Sequence, residues 1–74
     1  MAKLDERFIN QQVRSTVQQF KQRGQGAHVI PVQHMGDPYD DEIAARVKEA
    51  MRRDGKPVKV TVVGAGWLRI EAEH

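Results

Sequence analysis

The apolar residues near the start of the chain recur every three or four positions, which is the period of a helix with one buried face. This spacing predicts an amphipathic helix over about residues 4–23. Gly24 and Gly26 follow it and are expected to end it, because glycine adopts left-handed backbone conformations at little cost. The apolar positions of this helix are Leu4, Phe8, Ile9, Val13, Val17 and Phe20.

A short segment rich in β-branched residues comes next and predicts a strand over about residues 27–33. Pro31 lies within it and has no backbone N–H to donate to a neighbouring strand. The strand is therefore expected at an edge of the sheet or at a bulge.

A second helix is predicted over about residues 38–54, with its apolar stripe formed by Ile43, Val47, Ala50 and Met51. Asp37 is expected to cap it and Pro38 to occupy its first position, with further acids at the positive end of the helix dipole. Gly55 and Pro57 are expected to terminate it.

The remaining chain alternates between apolar and polar residues, which is the period of a strand. Two strands are predicted over about residues 58–63 and 67–73, joined by a turn at Gly64-Ala65-Gly66. One face of this hairpin would be aliphatic. The other face would carry Lys59, Thr61, Val63, Trp67, Arg69 and Glu71.

The element order is therefore α-β-α-β-β in one domain spanning residues 1–74. It predicts a two-layer α+β fold in which both helices pack on one face of a three-stranded mixed sheet. The sheet would be mixed if the first two strands are parallel neighbours joined by a right-handed crossover. The opposite sheet face would be open unless a second copy covers it. A homodimer is expected, since so short a chain has a small core.

Composition narrows the chemistry. The chain has 74 residues, no cysteine and a net charge of +2, so disulfides and thiolate metal sites are excluded. No segment has the length and hydrophobicity of a membrane span or a secretory signal, and a cytoplasmic location is expected. Basic residues occur without acids from Arg7 to Gly36, whereas acids outnumber bases from Asp37 to Asp54.

The polar face of the first helix is the first candidate binding surface. Its residues recur at helical spacing in the acid-free part of the chain, which would suit a phosphate backbone. An ordinary solvated helix face would show the same pattern. The residues are Arg7, Asn10, Gln11, Arg14, Gln18 and Lys21.

The polar face of the hairpin is the second candidate surface. Trp67 and Arg69 share one side of the last strand, and Lys59 lies on its partner. An aromatic ring beside cations can stack nucleic-acid bases, and the same residue types are common in protein interfaces. Packing of Trp67 over the edge of the core or in a dimer is the alternative.

The sequence also contains residue types that could form a metal site or a catalytic site. His28, His34 and Asp37, with the further acids Asp40 and Asp41, could ligate a divalent cation, although the three acids also suit the helix dipole. Ser15 is the only serine and has no histidine near it in sequence. No enzymatic activity and no cofactor are expected.

Two resemblances to known families follow from these patterns. The run from Val13 to Glu73, including Gln25-Gly26-Ala27-His28-Val29-Ile30 at the first strand, resembles the Alba-type nucleic-acid-binding fold without its opening strand. That resemblance implies RNA or DNA binding by a dimer. Val29-Ile30-Pro31-Val32, Tyr39 and Gly55-Lys56-Pro57-Val58-Lys59-Val60 are similar to the β-α-β unit of tRNA-synthetase anticodon-binding domains.

The leading functional hypothesis is a small nucleic-acid-binding protein or nucleic-acid-associated regulator that uses both candidate surfaces. The contact residues would be Arg7, Gln11, Arg14, Gln18, Lys21, Lys59, Trp67 and Arg69. The first alternative is a protein-interaction module, such as an adaptor or inhibitor of a larger complex of the kind mobile elements encode. The second alternative is a metal-binding protein using His28, His34 and Asp37.

Overall fold

Two helices pack against a three-stranded sheet in the order predicted from the sequence, α-β-α-β-β, and the two-layer α+β class is confirmed. The structure is a computed structural model that describes residues 4–24 and 26–73. The elements are α1 (Glu6–Arg23), β1 (Ala27–Pro31), α2 (Asp37–Arg53), β2 (Val58–Gly64) and β3 (Trp67–Ala72).

The strand order corrects one part of the prediction. The sheet is ordered β1-β3-β2, and both pairings are antiparallel, so the expected mixed sheet is wrong. β1 and β2 do run in the same direction, but β3 lies between them and pairs with both. Ile70 at the centre of β3 is opposite His28 on one side and Val60 on the other. β1 is therefore an edge strand, as Pro31 required.

The N-terminus of α2 differs from the prediction, whereas its C-terminus ends at the predicted glycine. Asp37 is the first helical residue and Gly36 is the N-cap, with no side-chain cap, so the expected capping role of Asp37 is wrong. At the other end, the Lys56 N–H bonds to the Met51 carbonyl at 3.0 Å and the Gly55 N–H to that of Arg52 at 3.1 Å. These two bonds form a Schellman motif, which requires the positive φ of 77° that Gly55 supplies.

Asp5 is the N-cap of α1, and its Oδ1 accepts a hydrogen bond from the Phe8 N–H at 3.2 Å. β1 ends two residues before the predicted limit. Beyond it, the Gln33 N–H donates to Gln12 Oε1 at 3.2 Å, so the chain turns from the sheet towards α1.

The core lies between the helices and one sheet face. On α2 the buried side chains are Asp40, Ile43, Ala44, Val47 and Met51, whereas Ala50, predicted to be buried, is only half-buried. The buried apolar residues of the other elements are Ile9, Phe20, Ile30, Val58, Leu68 and Ile70. Among the described residues, neither helix combines the length and hydrophobicity that a bilayer span requires.

Candidate functional site

The outer face of α1 carries four of the predicted contact residues in one exposed strip. Arg7, Gln11, Arg14 and Gln18 follow one another at intervals of three or four residues. The strip lies opposite the buried positions of the same helix, which include Ile9. Within the described part of the chain, the guanidinium groups of Arg7 and Arg14 have no ion-pair partner within 4.0 Å.

Two other polar residues of α1 are engaged in contacts between the helices. Lys21 Nζ lies 2.6 Å from Asp54 Oδ2, and this hydrogen bond and its charge lower the pKa of Asp54. Asn10 Oδ1 accepts a hydrogen bond from Arg46 Nη1 at 3.1 Å. Lys21 is thus partly neutralised, and the unpaired charge of the strip comes from its two arginines.

The sheet face away from the helices is open, and it carries exposed apolar side chains. Trp67 is 48% exposed and Val29 43%. Pro31 is the Cα partner of Trp67 and Val29 that of Arg69, so Val29 is a diagonal neighbour of Trp67 on this face. Val63, 50% exposed, lies at an irregularity of β2 next to this end of the hairpin.

The charges on the open face partly compensate one another. Arg69 Nη1 lies 2.6 Å from Glu71 Oε2. Lys59 is the Cα partner of Glu71 on the neighbouring strand, so one carboxylate lies between two cations. This half of the face is therefore less basic than the residues Lys59 and Arg69 suggest on their own.

The predicted contact residues form two surfaces rather than one. The α1 strip points outward from the helix layer, whereas Lys59, Trp67 and Arg69 lie on the face of the sheet that the helices leave open. Since the core separates the two layers, one short ligand cannot contact both surfaces at once.

A third feature is a polar cluster where α2 begins. Asp40 is 1% exposed, and its Oδ2 lies 2.7 Å from His34 Nδ1 and accepts a hydrogen bond from the Gly66 N–H at 3.0 Å. The exposed Asp37 completes the cluster: one potential ligand atom from each of His34, Asp37 and Asp40 lies within 4.8 Å of the other two.

The cluster differs from the metal set predicted from the sequence. His28 is not part of it, because His28 lies in β1 with its ring 5.9 Å from the ring of Phe20 in an edge contact. Asp40, one of the two further acids considered with that set, is the buried member of the cluster. A sequence signal for this existed, since Asp40 precedes Ile43 by three residues and Ala44 by four and so falls on the buried stripe of α2.

A shallow depression beside the cluster is strongly acidic. Its lining residues are Asp37, Asp40, Asp41, Val62, Val63, Gly64 and Ala65. Three carboxylates and no basic side chain are among them. A second, mainly apolar groove lies at the other end of the fold and includes Phe20, Met51 and Pro57. None of its lining residues belongs to the polar cluster.

No protein-family model, curated protein or solved structure matches this chain significantly. The two resemblances noted from the sequence therefore gain no support from these comparisons.

Proposed function

We propose that this chain is a protein-interaction module that docks a partner protein through the open face of its sheet. One observation carries the proposal: Val29 and Trp67 are 43% and 48% exposed and are neighbours on that face. Exposed apolar groups gathered on one face mark an interaction site, and tryptophan and arginine are the residue types that most often dominate protein interfaces.

The chemistry of the open face favours a protein over a nucleic acid there. The described part of the face offers a single aromatic ring beside aliphatic groups, whereas sheets that bind single strands stack several bases on aromatic residues. Its cations are also partly compensated, because Glu71 contacts Arg69 at 2.6 Å and lies opposite Lys59. We also propose a cytoplasmic location.

Copurification from the native host with matched variants tests the proposal. Trp67→Ala removes the apolar anchor of the open face, whereas Arg14→Glu alters an exposed charge on the other side of the fold. We expect Trp67→Ala to abolish recovery of a stoichiometric partner, with little dependence on salt, and Arg14→Glu to leave it unchanged. Recovery that survives Trp67→Ala would contradict the proposal.

The same variants test whether the partner is a second copy. Sedimentation equilibrium of the purified chain would then show a dimer that Trp67→Ala converts to a monomer. A dimer that Trp67→Ala does not affect would mean that the two copies associate through another surface. It would contradict the open sheet face as the dimer interface.

Nucleic-acid binding is the second candidate function, and the α1 strip is the surface that favours it. Arg7 and Arg14 lie on it without ion-pair partners among the described residues, and Gln11 and Gln18 could bond phosphate oxygens. Gel-shift assays with single- and double-stranded DNA and RNA at two salt concentrations test this candidate. Binding should weaken with salt and with Arg14→Glu but not with Trp67→Ala; no binding at low salt would reject it.

A further inference from the structure

We propose that His34, Asp37 and Asp40 form a binding site for one divalent transition-metal ion of the Zn²⁺ class. This site is separate from the docking surface proposed above. It consists of the loop between β1 and α2, the first turn of α2 and the turn between β2 and β3, which meet at the Asp40 carboxylate.

The spacing of the three side chains suits a shared ion. One potential ligand atom of each lies within 4.8 Å of the other two. Ligands bound to a tetrahedral zinc ion at about 2.1 Å are about 3.4 Å apart. The imidazole of His34 is 38% exposed and Asp37 is exposed, so these two side chains can move inward by the remaining distance.

The buried carboxylate of Asp40 supplies an independent reason for a cation. Asp40 Oδ2 contacts His34 and Gly66, but Asp40 Oδ1 is buried and has no hydrogen-bond partner among the described residues. A carboxylate oxygen out of contact with both water and donors is costly. A cation held by the cluster would neutralise the charge of this carboxylate.

The surrounding charge also favours a cation. The carboxylates of Asp37, Asp40 and Asp41 line one depression together with four residues that carry no charge. The positive end of the α2 dipole opposes a cation there, but it amounts to only about half an elementary charge. The two carboxylates of the cluster, Asp37 and Asp40, already outweigh it.

The donor set identifies the class of metal. One imidazole nitrogen with carboxylate oxygens suits Zn²⁺, Co²⁺, Ni²⁺ or Mn²⁺, whereas Mg²⁺ and Ca²⁺ prefer oxygen ligands alone. The contact between His34 Nδ1 and Asp40 Oδ2 at 2.7 Å also fits such a site, because these two ligand atoms face each other and an ion bound by both would replace the proton that they share.

Calorimetric titration of the tag-free chain with Zn²⁺ tests the site, and Co²⁺ serves as a spectroscopic probe. We expect one ion per chain and a visible Co²⁺ absorption band typical of low coordination number. His34→Gln and Asp37→Asn should each weaken Zn²⁺ binding by about tenfold or more. Both residues are exposed, so the fold should survive these changes, which circular dichroism would verify.

Two control variants distinguish Zn²⁺ binding at the three-residue cluster from general attraction of the ion to acidic or imidazole side chains. Asp41 lines the same depression but lies outside the three-residue cluster, and His28 is an imidazole in β1. Asp41→Asn and His28→Gln should leave Zn²⁺ affinity within about threefold, and Mg²⁺ should not compete.

Three results would overturn the proposal: no saturable binding of one Zn²⁺ per chain, unchanged affinity in His34→Gln and Asp37→Asn, or equal weakening by Asp41→Asn. An NMR titration of the unmodified chain adds a measurement that needs no variant. The ring resonances of His34 should respond to the first equivalent of Zn²⁺ while those of His28 remain in place; the reverse would also overturn it.

Discussion

The buried carboxylate of Asp40 accepts a hydrogen bond from the backbone N–H of Gly66, which lies 26 residues later in the chain, at 3.0 Å. The carbonyl of the same Gly66 accepts from the Val32 N–H at 2.8 Å. With the His34 contact at 2.7 Å, these bonds connect the first turn of α2, the loop after β1 and the hairpin turn. Asp40 therefore links the hairpin turn to the start of α2 and to the loop that precedes this helix.

Replacing Asp40 with alanine should destabilise the fold. The substitution leaves the buried Gly66 N–H without an acceptor, which costs about 1–3 kcal/mol in the free energy of unfolding. Urea denaturation of Asp40→Ala measures this loss. Asp41→Ala is the matched control, because Asp41 is the adjacent, exposed acid, and we expect it to change stability by less than about 0.5 kcal/mol. Equal effects of the two substitutions would contradict the structural role of Asp40.

Alanine at Gly66 should cost more than alanine at Gly55. The two glycines have nearly the same φ, 78° and 77°, so each substitution incurs the left-handed strain of about 1–2 kcal/mol. A Cβ at Gly66 would also lie 2.8 Å from the Val32 carbonyl oxygen, whereas one at Gly55 would meet nothing within 4 Å. Urea denaturation of both variants measures the additional loss of stability that the contact with the Val32 carbonyl causes. A smaller loss of stability for Gly66→Ala than for Gly55→Ala would contradict the close approach of Gly66 to this carbonyl.

The elements of this fold could be predicted from local patterns, but the order of the strands could not. Helical spacing, the glycine at position 55 and the alternation in β2 and β3 are local signals, and they gave element limits within two residues of those observed. Strand order depends on which edges meet in space. The chain between β1 and β2 can place the two strands side by side, or it can leave a gap that β3 fills. Both arrangements need the same local sequence signals.

For the candidate sites, the sequence predicted which residues share a face of a helix or of the sheet, but not which residues contact one another. The exposed strip of α1 and the position of Trp67 followed from periodicity. The meeting of Asp40 with Gly66 did not, because the two residues belong to segments that only tertiary packing brings together. The ion pairs of Lys21 with Asp54 and of Arg69 with Glu71 were likewise missed, and they reduce the basic character of both surfaces.

The contact between Glu6 and Arg46 predicts a loss of stability in acid. Glu6 Oε2 lies 2.6 Å from Arg46 Nη1, and this hydrogen bond lowers the pKa of Glu6. A carboxyl group with a lower pKa in the folded state stabilises the fold above its unfolded pKa. That contribution disappears as the pH falls through the folded value.

Arg46→Gln should therefore reduce stability near pH 7 but have a smaller effect at an acidic pH below the lowered pKa of Glu6, where Glu6 is protonated. Urea denaturation at both pH values measures the difference, and an NMR titration should show the pKa of Glu6 rising in the variant. Glu49 is an internal control, because the hydrogen bond from Arg52 lowers its pKa and Arg46 does not contribute. A pKa of Glu6 that is unchanged by Arg46→Gln would contradict the assignment.

Adjacent residues of β3 should respond very differently to truncation. Leu68 is 0% exposed in the core and Trp67 is 48% exposed on the open face. Leu68→Ala should cost about 3 kcal/mol or more, because it removes buried methyl groups and leaves a cavity. Trp67→Ala should cost less than Leu68→Ala, since about half of the residue's surface is already in contact with solvent and its removal leaves no enclosed cavity.

Urea denaturation of the two variants gives this contrast directly, and acrylamide quenching of the single tryptophan reports its exposure in the unmodified chain. Efficient quenching together with a small cost for Trp67→Ala would establish that this ring contributes little to folding and is available for binding. If Trp67→Ala destabilised the chain as much as Leu68→Ala, the ring would be a core residue. The open sheet face would then lose the anchor on which the docking proposal depends.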